Sequence, residues 1–247
     1  VYCSNLPFSG FCREIKGQSV FVPKTKIESV YKQHGGRSMK QDRTRWNEKY
    51  DDNRDMGPPS SLLVQAAPLA RGRLALDLAA GIGRNSLYLA RQNFRVVAVD
   101  LADEAMRRLR ALNEPNIVPV QADLDSFPLP PKRFDLVLCC FFLDRRLFPF
   151  LQESLKTGGI LIYESARETD QPQVNQPRNR NYLLRSNELL YAFAGLRVLF
   201  YEEVLEEDRQ EPGKLRSLAR LVAQKGWRGD EALRRRIGSS LSQKTRT

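Results

Sequence analysis

The sequence predicts an α/β protein with a doubly wound, mostly parallel, seven-stranded sheet and an antiparallel C-terminal hairpin. Three observations favour this fold class. Apolar runs of strand length alternate with helical patterns, a glycine-rich turn follows the first run at Leu74–Leu78, and the next run closes on Asp100. Alternating strands and helices require crossover connections, and these place parallel strands in one sheet with helices on both faces.

The individual elements follow from local pattern. Met39 opens a polar stretch, MKQDRTRWNEKYDD, that resembles the lead-in helix of an α/β enzyme. Prolines at 128, 130 and 131 exclude a long helix before the fourth strand. The last two strands flank Leu205–Lys214 and predict the hairpin. We expect strands at Leu74–Leu78, Arg95–Val99, Ile117–Gln121, Phe134–Cys140, Ile160–Tyr163, Leu196–Tyr201 and Leu218–Ala223, and helices at Asn85–Gln92, Asp103–Leu112 and Leu147–Leu155.

The charge distribution divides the chain into a domain and two tails. Of the net charge of +11, residues 1–38 and 226–247 each hold +4, which leaves +3 for 39–225. Basic tails on a nearly neutral domain are weak evidence for a nucleic-acid substrate, because solvated tails have the same composition. We expect a loose extension over 1–38, a domain over 39–225 and a basic tail over 226–247, with natural translation starting at Met39.

The remaining composition excludes several other classes. Four cysteines and one histidine, His34, lack the spacing of a metal site or a disulfide framework. No apolar run reaches the roughly 20 residues of a membrane span, and no signal-peptide pattern opens the chain. We therefore expect a protein of the reducing cytoplasm with no metal and no membrane partner.

The glycine-rich turn indicates a cofactor site, and its details narrow the cofactor. A dinucleotide fingerprint that starts at Gly81 and Gly83 would put Ser86 where close helix packing favours glycine or alanine. Asp77, inside the first strand, suits an ammonium group better than a pyrophosphate, whose negative charge it would repel. No phosphate-binding P-loop motif is present in the sequence.

These residues carry a family resemblance. Five segments resemble the ordered motifs of class I S-adenosylmethionine-dependent methyltransferases, which have a Rossmann-like fold. They are DLAAGIGRNSLYLA from Asp77, VD ending at Asp100, QAD ending at Asp123, FDLVL ending at Leu138 and LKTGG ending at Gly159. Within that superfamily RNSLYLA is similar to the small-molecule branch that includes tellurite-resistance methyltransferases. Ala79 and Ala80 depart from the Gly-Cys pair that the family often has.

The resemblance implies how the cofactor would be held. Asp77 and the backbone of 79–83 would bind the methionine part, Asp100 the ribose hydroxyls, and Asp123 with its neighbours the adenine. Alternatively, Asp77 caps the following turn, and Asp100 and Asp123 form Asx turns. The full set implied as S-adenosylmethionine-binding is Asp77, Ala79, Gly81, Gly83, Asn85, Asp100, Leu101, Ala122, Asp123, Leu124 and Cys140.

The methyl acceptor is less well defined. A cationic sulfur already activates the methyl group of the cofactor. The enzyme therefore mainly has to align the acceptor's lone pair with the carbon–sulfur bond and exclude water, and a general base is optional. No histidine lies between 39 and 247 to serve as one. Arginines on the connections favour an anionic acceptor, with solvated arginines as the alternative. We expect acceptor contacts from Tyr50, Phe141, Asp144, Arg145 and Arg178, while Trp46 and Tyr50 either close over the pocket or pack on the sheet.

Three functions stay open at this point. The preferred one is methyl transfer to a small molecule. The second is an RNA or protein methyltransferase that uses the basic tails, above all Leu233–Ile237. The third is a regulatory protein that binds the cofactor without turnover. The sequence leaves the oligomeric state undetermined.

Overall fold

The structure, a computed structural model, describes residues 10–15, 18–23, 39–51, 56–124, 127–208, 211 and 213–226. Over these ranges the chain forms a two-stranded hairpin and a central seven-stranded sheet. The hairpin pairs β1 (Gly10–Ile15) with β2 (Gln18–Pro23). The central sheet contains β3 (Leu74–Leu78), β4 (Arg95–Asp100), β5 (Ile117–Gln121), β6 (Phe134–Cys140), β7 (Leu155–Ala166), β8 (Arg197–Glu207) and β9 (Leu215–Gln224).

The strand order β5-β4-β3-β6-β7-β9-β8 confirms the predicted doubly wound sheet. β3 to β7 pair in parallel, and β9 runs antiparallel to both β7 and β8. The chain moves outward from β3 to β5 and then returns to β6 on the other side. A crevice therefore opens at the carboxyl ends of β3 and β6, which is where ligands bind in sheets of this kind.

Helices cover both faces of the sheet. They are α1 (Met39–Asp51), α2 (Ser61–Ala66), α3 (Arg84–Arg91), α4 (Asp103–Ala111), α5 (Phe148–Ser154) and α6 (Glu188–Ala192). Two apolar clusters result, one on each face. The first joins α2, α3 and α4 to side chains such as Val96 and Leu136, and the second joins α5 and α6 to side chains such as Val137 and Tyr163. Within the described ranges, no helix has the length and apolar character needed to cross a membrane.

The predicted elements all occur, and several bounds differ. β7 extends further than predicted, to Ala166 opposite Leu218 of β9, and β8 and β9 extend because their antiparallel pairing continues to Glu207 opposite Leu215. The hairpin connection is shorter than Leu205–Lys214, since Glu206 and Arg216 still pair across the strands. The pattern gave no sign of β1, β2, α2 or α6. Most residues of the two proposed tails lie outside the described ranges, so the domain limits stay a prediction.

Candidate functional site

The glycine loop at 79–83 joins the carboxyl end of β3 to α3 through a series of left-handed residues. Ala79, Gly81 and Gly83 have φ of +53°, +55° and +93°. A side chain at Gly83 would place its Cβ 2.3 Å from Leu109 Cδ2 in α4, so a larger residue would displace Leu109 and also strain the backbone. The Ala80 N–H donates to Val99 O at 3.0 Å, which ties the loop to β4.

Asp100 organises the loop from the end of β4. Its Oδ2 accepts from Gly81 N at 2.8 Å, and its Oδ1 accepts from Ala102 N at 2.9 Å. Only 6% of the residue is exposed. Burial raises the pKa of Asp100, and the backbone hydrogen bonds act against that shift. Each carboxylate oxygen retains lone-pair capacity for a hydroxyl donor from the crevice.

Asp77 lies deeper, within β3 and beneath the first turn of α3. The Ser86 hydroxyl donates to Asp77 Oδ2 at 2.6 Å, and Asp77 is 1% exposed. Burial, with a smaller contribution from the charge of Asp100, raises the pKa of Asp77 to about 7. A cation that binds beside Asp77 would favour its ionised form, so the carboxyl group is suited to an ammonium or sulfonium ligand.

Helix α1 covers the glycine loop. Tyr50 lies so close to Gly81 that a Cβ built there would meet the Tyr50 hydroxyl at 3.0 Å. The ring stacks on Trp46 with centroids 5.8 Å apart, and both rings pack against the first core cluster. Burial and the charge of Asp100 raise the pKa of Tyr50. Helix α1 therefore packs on the core and also lies against the glycine loop, and closure over a bound ligand stays a prediction.

The carboxyl end of β6 forms the other wall. Cys140 is buried, and burial raises the pKa of its thiol well above the usual value. The next residue, Phe141, has φ of +56° and is 39% exposed, although bulky residues rarely adopt this backbone conformation. The guanidinium carbons of Arg84 and Arg216 lie 5.7 and 5.4 Å from the Phe141 ring centroid. This wall therefore combines an apolar ring with two cations.

A partly buried polar network on β7, β8 and β9 supports this wall. Arg220 donates to Glu164 Oε2 at 2.7 Å, to Glu202 Oε1 at 3.0 Å and to Glu206 Oε2 at 2.6 Å. Burial opposes the charge of Arg220, but these hydrogen bonds outweigh it and raise the pKa of the guanidinium group. Ser60 Oγ contacts Glu164 Oε1 at 3.4 Å, which joins the segment before α2 to the same network.

The other residues implied in cofactor binding flank the crevice. Leu101, Ala122, Asp123 and Leu124 follow β4 and β5, where the Ala122 N–H donates to Asp100 O at 3.0 Å. Asn85 Oδ1 accepts from Ser60 N at 2.9 Å and so positions the start of α2. A cofactor contact by Asn85 would have to share or replace that hydrogen bond.

The polar residues expected to hold the acceptor are largely engaged with other protein groups. Asp144 accepts from the Arg146 N–H and from its guanidinium group. Arg145 forms a two-point ion pair with Glu188 and also donates to the carbonyls of 181 and 183. A substrate contact by Arg145 would require these bonds to be exchanged. Arg178 lies exposed on the connection between β7 and α6.

Several residues of the site were not predicted. Arg84 directly follows Gly83 and is the first residue of α3, so the sequence alone indicated that it lies beside the glycine loop. Arg216 and Arg220 interrupt an otherwise apolar strand at a spacing of four, which puts both on one face of β9. Charged residues on one face of a central strand indicate a polar site or a buried ion pair.

Comparison with known proteins agrees with this geometry. Residues 75–159 match the family described as Methyltransferase domain. A search of curated protein sequences found no match. Among solved structures, TehB from Haemophilus influenzae is similar with a TM-score of 0.59 and 23% identity over 74% of this chain. This chain spans 66% of the TehB chain, slightly under two thirds.

Two further structures share the fold at lower identity. A SAM-dependent methyltransferase from Methanosarcina mazei has a TM-score of 0.54 and 17% identity, over 69% of this chain and 99% of its own. Geranyl diphosphate methyltransferase, solved with GPP and sinefungin, has a TM-score of 0.52 and 15% identity, over 66% of this chain and 75% of its own. At such identities the likeness establishes the fold.

The family match, the strand order and the glycine loop between β3 and α3 define the class of protein. Residues 75–159 are a methyltransferase domain, and the chain has the fold of class I S-adenosylmethionine-dependent methyltransferases. S-adenosylmethionine is the cofactor that this domain and this fold imply.

Proposed function

We propose that this chain transfers a methyl group from S-adenosylmethionine to a small anionic acceptor bound against Phe141. The observation that carries this proposal is the arrangement of the crevice, which has a glycine loop held by a carboxylate on one side and an aromatic ring with two arginines on the other. Asp100 and Gly81 stand on the first side, and Arg84 and Arg216 flank Phe141 on the second.

The crevice suits the cofactor in three ways. The left-handed loop at 79–83 brings backbone close to a ligand, and Asp100 presents carboxylate oxygens that suit the ribose hydroxyls. Asp77 supplies negative charge for the methionine ammonium group. Asp123 and its neighbours at the end of β5 are proposed to contact the adenine. When bound, S-adenosylmethionine supplies an electrophilic methyl group on a positively charged sulfur.

The protein's part in the reaction is alignment and exclusion of water. Buried Cys140 keeps its proton because burial raises the pKa of the thiol, so it is a poor competing nucleophile beside the proposed methyl position. Trp46 and Tyr50 shield the opposite side. A bound acceptor need only present a lone pair in line with the carbon–sulfur bond, and a soft or already ionised nucleophile requires no base.

Charge at the second wall favours an anionic acceptor. Arg84 donates to Pro58 O at 3.2 Å and keeps further N–H donors. Arg216 pairs with Glu206, and Arg220 shares that carboxylate. Guanidinium groups are suited to oxyanions, and the neighbouring Phe141 ring favours an apolar body on the same molecule. Geranyl diphosphate methyltransferase, which has the same fold, takes its name from a small anionic compound.

Methyl transfer from radiolabelled S-adenosylmethionine tests the proposal. The purified chain is incubated with a panel of small anionic metabolites, matched neutral analogues, total RNA and peptides. We expect label to enter an anionic small molecule, with kcat/KM at least tenfold lower for Arg84→Gln and unchanged for the exposed control Arg91→Gln. Label in RNA or peptide alone would overturn the acceptor class. Saturable cofactor binding without transfer to any class would instead favour a regulatory protein.

A further inference from the structure

The outermost strand of the sheet, β8, has the features of an interaction surface. It is 11 residues long and stands last in the strand order, so within the described part of the chain its strand pairing is with β9 alone. Edge strands offer backbone donors and acceptors to another strand, so a long edge strand can pair with a second chain. This edge lies at the end of the sheet beyond the cofactor crevice.

Apolar side chains are concentrated along this edge. Val198, Leu199, Phe200 and Leu205 are each between 36% and 41% exposed, and Tyr191 in the neighbouring α6 is 79% exposed. Four of the eight large hydrophobic residues that are exposed in the described structure therefore belong to β8, and a fifth, Tyr191, lies in α6. Scattered exposed apolar residues are ordinary, but a cluster on one edge indicates a contact that excludes water.

The order of charges along β8 specifies a partner. Its sequence, RVLFYEEVLEE, begins with the cation Arg197 and ends with Glu206 and Glu207. A strand with opposite charges at its two ends complements a second copy of itself only when the two run antiparallel. Such pairing is isologous, so each contact forms twice around a two-fold axis.

We propose that two copies of this chain associate through antiparallel pairing of β8 with β8, centred on Glu202. In that register Arg197 faces the partner's Glu207, Leu199 faces the partner's Leu205, and Phe200 faces the partner's Val204. The two sheets would then form one continuous sheet of 14 strands. Opposite charges and apolar pairs that face each other across strands stabilise such pairing.

Two features bear on this register. At the centre, Glu202 would face the partner's Glu202, but Arg220 of the same chain donates to that carboxylate at 3.0 Å and offsets its charge. β8 also has a register shift against β9 between Val198 and Phe200, which marks a bulge near one end. From Phe200 to Glu207 the pairing with β9 is regular, so the centre of the edge keeps strand geometry.

Sedimentation equilibrium of the full chain across a wide concentration range tests the proposal. We expect a dimer for the wild type. Arg197→Glu should weaken dimerisation about tenfold or more, because two attractive pairs become repulsive. The double variant Arg197→Glu with Glu207→Arg should restore it, since the charges are exchanged and the register is kept. The control Arg71→Glu, at an exposed position away from β8, should leave the mass unchanged.

The possible outcomes are distinguishable. A wild-type chain that stays monomeric overturns the proposal, and so does a dimer that both Arg197→Glu and Phe200→Glu leave intact. Failure of the charge exchange to restore a dimer lost in Arg197→Glu overturns it too. Thermal melts of each variant show whether the chain is still folded, so that loss of the dimer can be assigned to the lost contact. None of these measurements depends on the acceptor or on turnover.

Discussion

Replacing Asp77 by Asn should stabilise the protein at neutral and alkaline pH and have little effect in acid. Asp77 is 1% exposed, and burial raises its pKa from 3.8 to about 7. The folded chain therefore holds a proton between these values that the unfolded chain has released. Because the folded state binds more protons in this range, the free energy of unfolding falls as the pH rises from about 4 to about 7.

The size of the effect follows from the shift. About three pKa units at about 1.4 kcal/mol each give an upper bound of ~4 kcal/mol for the cost of the ionised Asp77 above pH 7. Asparagine has nearly the same shape and keeps an oxygen that can accept from the Ser86 hydroxyl, while it carries no charge. Asp77→Asn should therefore be nearly neutral at pH 4, gain about 1.5 kcal/mol at pH 5 and approach the full gain at pH 8.

Urea unfolding at pH 4, 5, 6, 7 and 8 measures this directly. The difference in unfolding free energy between Asp77→Asn and wild type should grow from near zero to a few kcal/mol across the series. Asp170→Asn, an exposed aspartate on the connection after β7, is the matched control and should track the wild type. Parallel curves for wild type and Asp77→Asn would show that the Asp77 carboxyl is not protonated in the folded state, which refutes the reasoning.

Three further results are expected. S-adenosylmethionine binding should release protons near pH 6.5 in the wild type and fewer in Asp77→Asn. Calorimetry in buffers of different ionisation enthalpy measures this release, and equal release by the two proteins would exclude a cation beside Asp77. Gly83→Ala should lower stability by ~2 kcal/mol or more in a thermal melt, because φ is +93° and the new Cβ would clash with Leu109. Arg220→Leu should lower the free energy of unfolding in urea by ~3–5 kcal/mol, because it leaves buried Glu164 unpaired. Adding Glu164→Gln should recover part of this loss, and no recovery would contradict the buried pair.

The parts of the fold set by local pattern were predictable from sequence. Continuous apolar runs identify buried parallel strands, so β3, β5 and β6 have the predicted bounds. The turn after β3 was predictable because Gly81 and Gly83 occupy the left-handed backbone conformations that the turn requires. By contrast, α2 and α6 have six and five residues, too few for a helical period to be recognised.

The residues that depend on tertiary register could not be predicted in the same way. Arg145 pairs with Glu188, 43 positions away, and nothing local distinguishes it from an arginine that faces a ligand. Arg216 lies beside Phe141 because β9 folds back antiparallel on β7, next to β6. Sequence spacing identifies which residue types are available, but the pairing of distant strands decides which of them share a site.

The central claim is that Asp100 and the glycine loop bind S-adenosylmethionine, and a calorimetric titration of the cofactor into the full chain tests it most directly. We expect saturable binding at one site per chain that Asp100→Ala weakens by ~1–3 kcal/mol, through loss of a buried hydrogen-bonding partner, and that Asp170→Asn leaves unchanged. An absence of saturable heat with wild type, or equal affinity in Asp100→Ala, would contradict the claim.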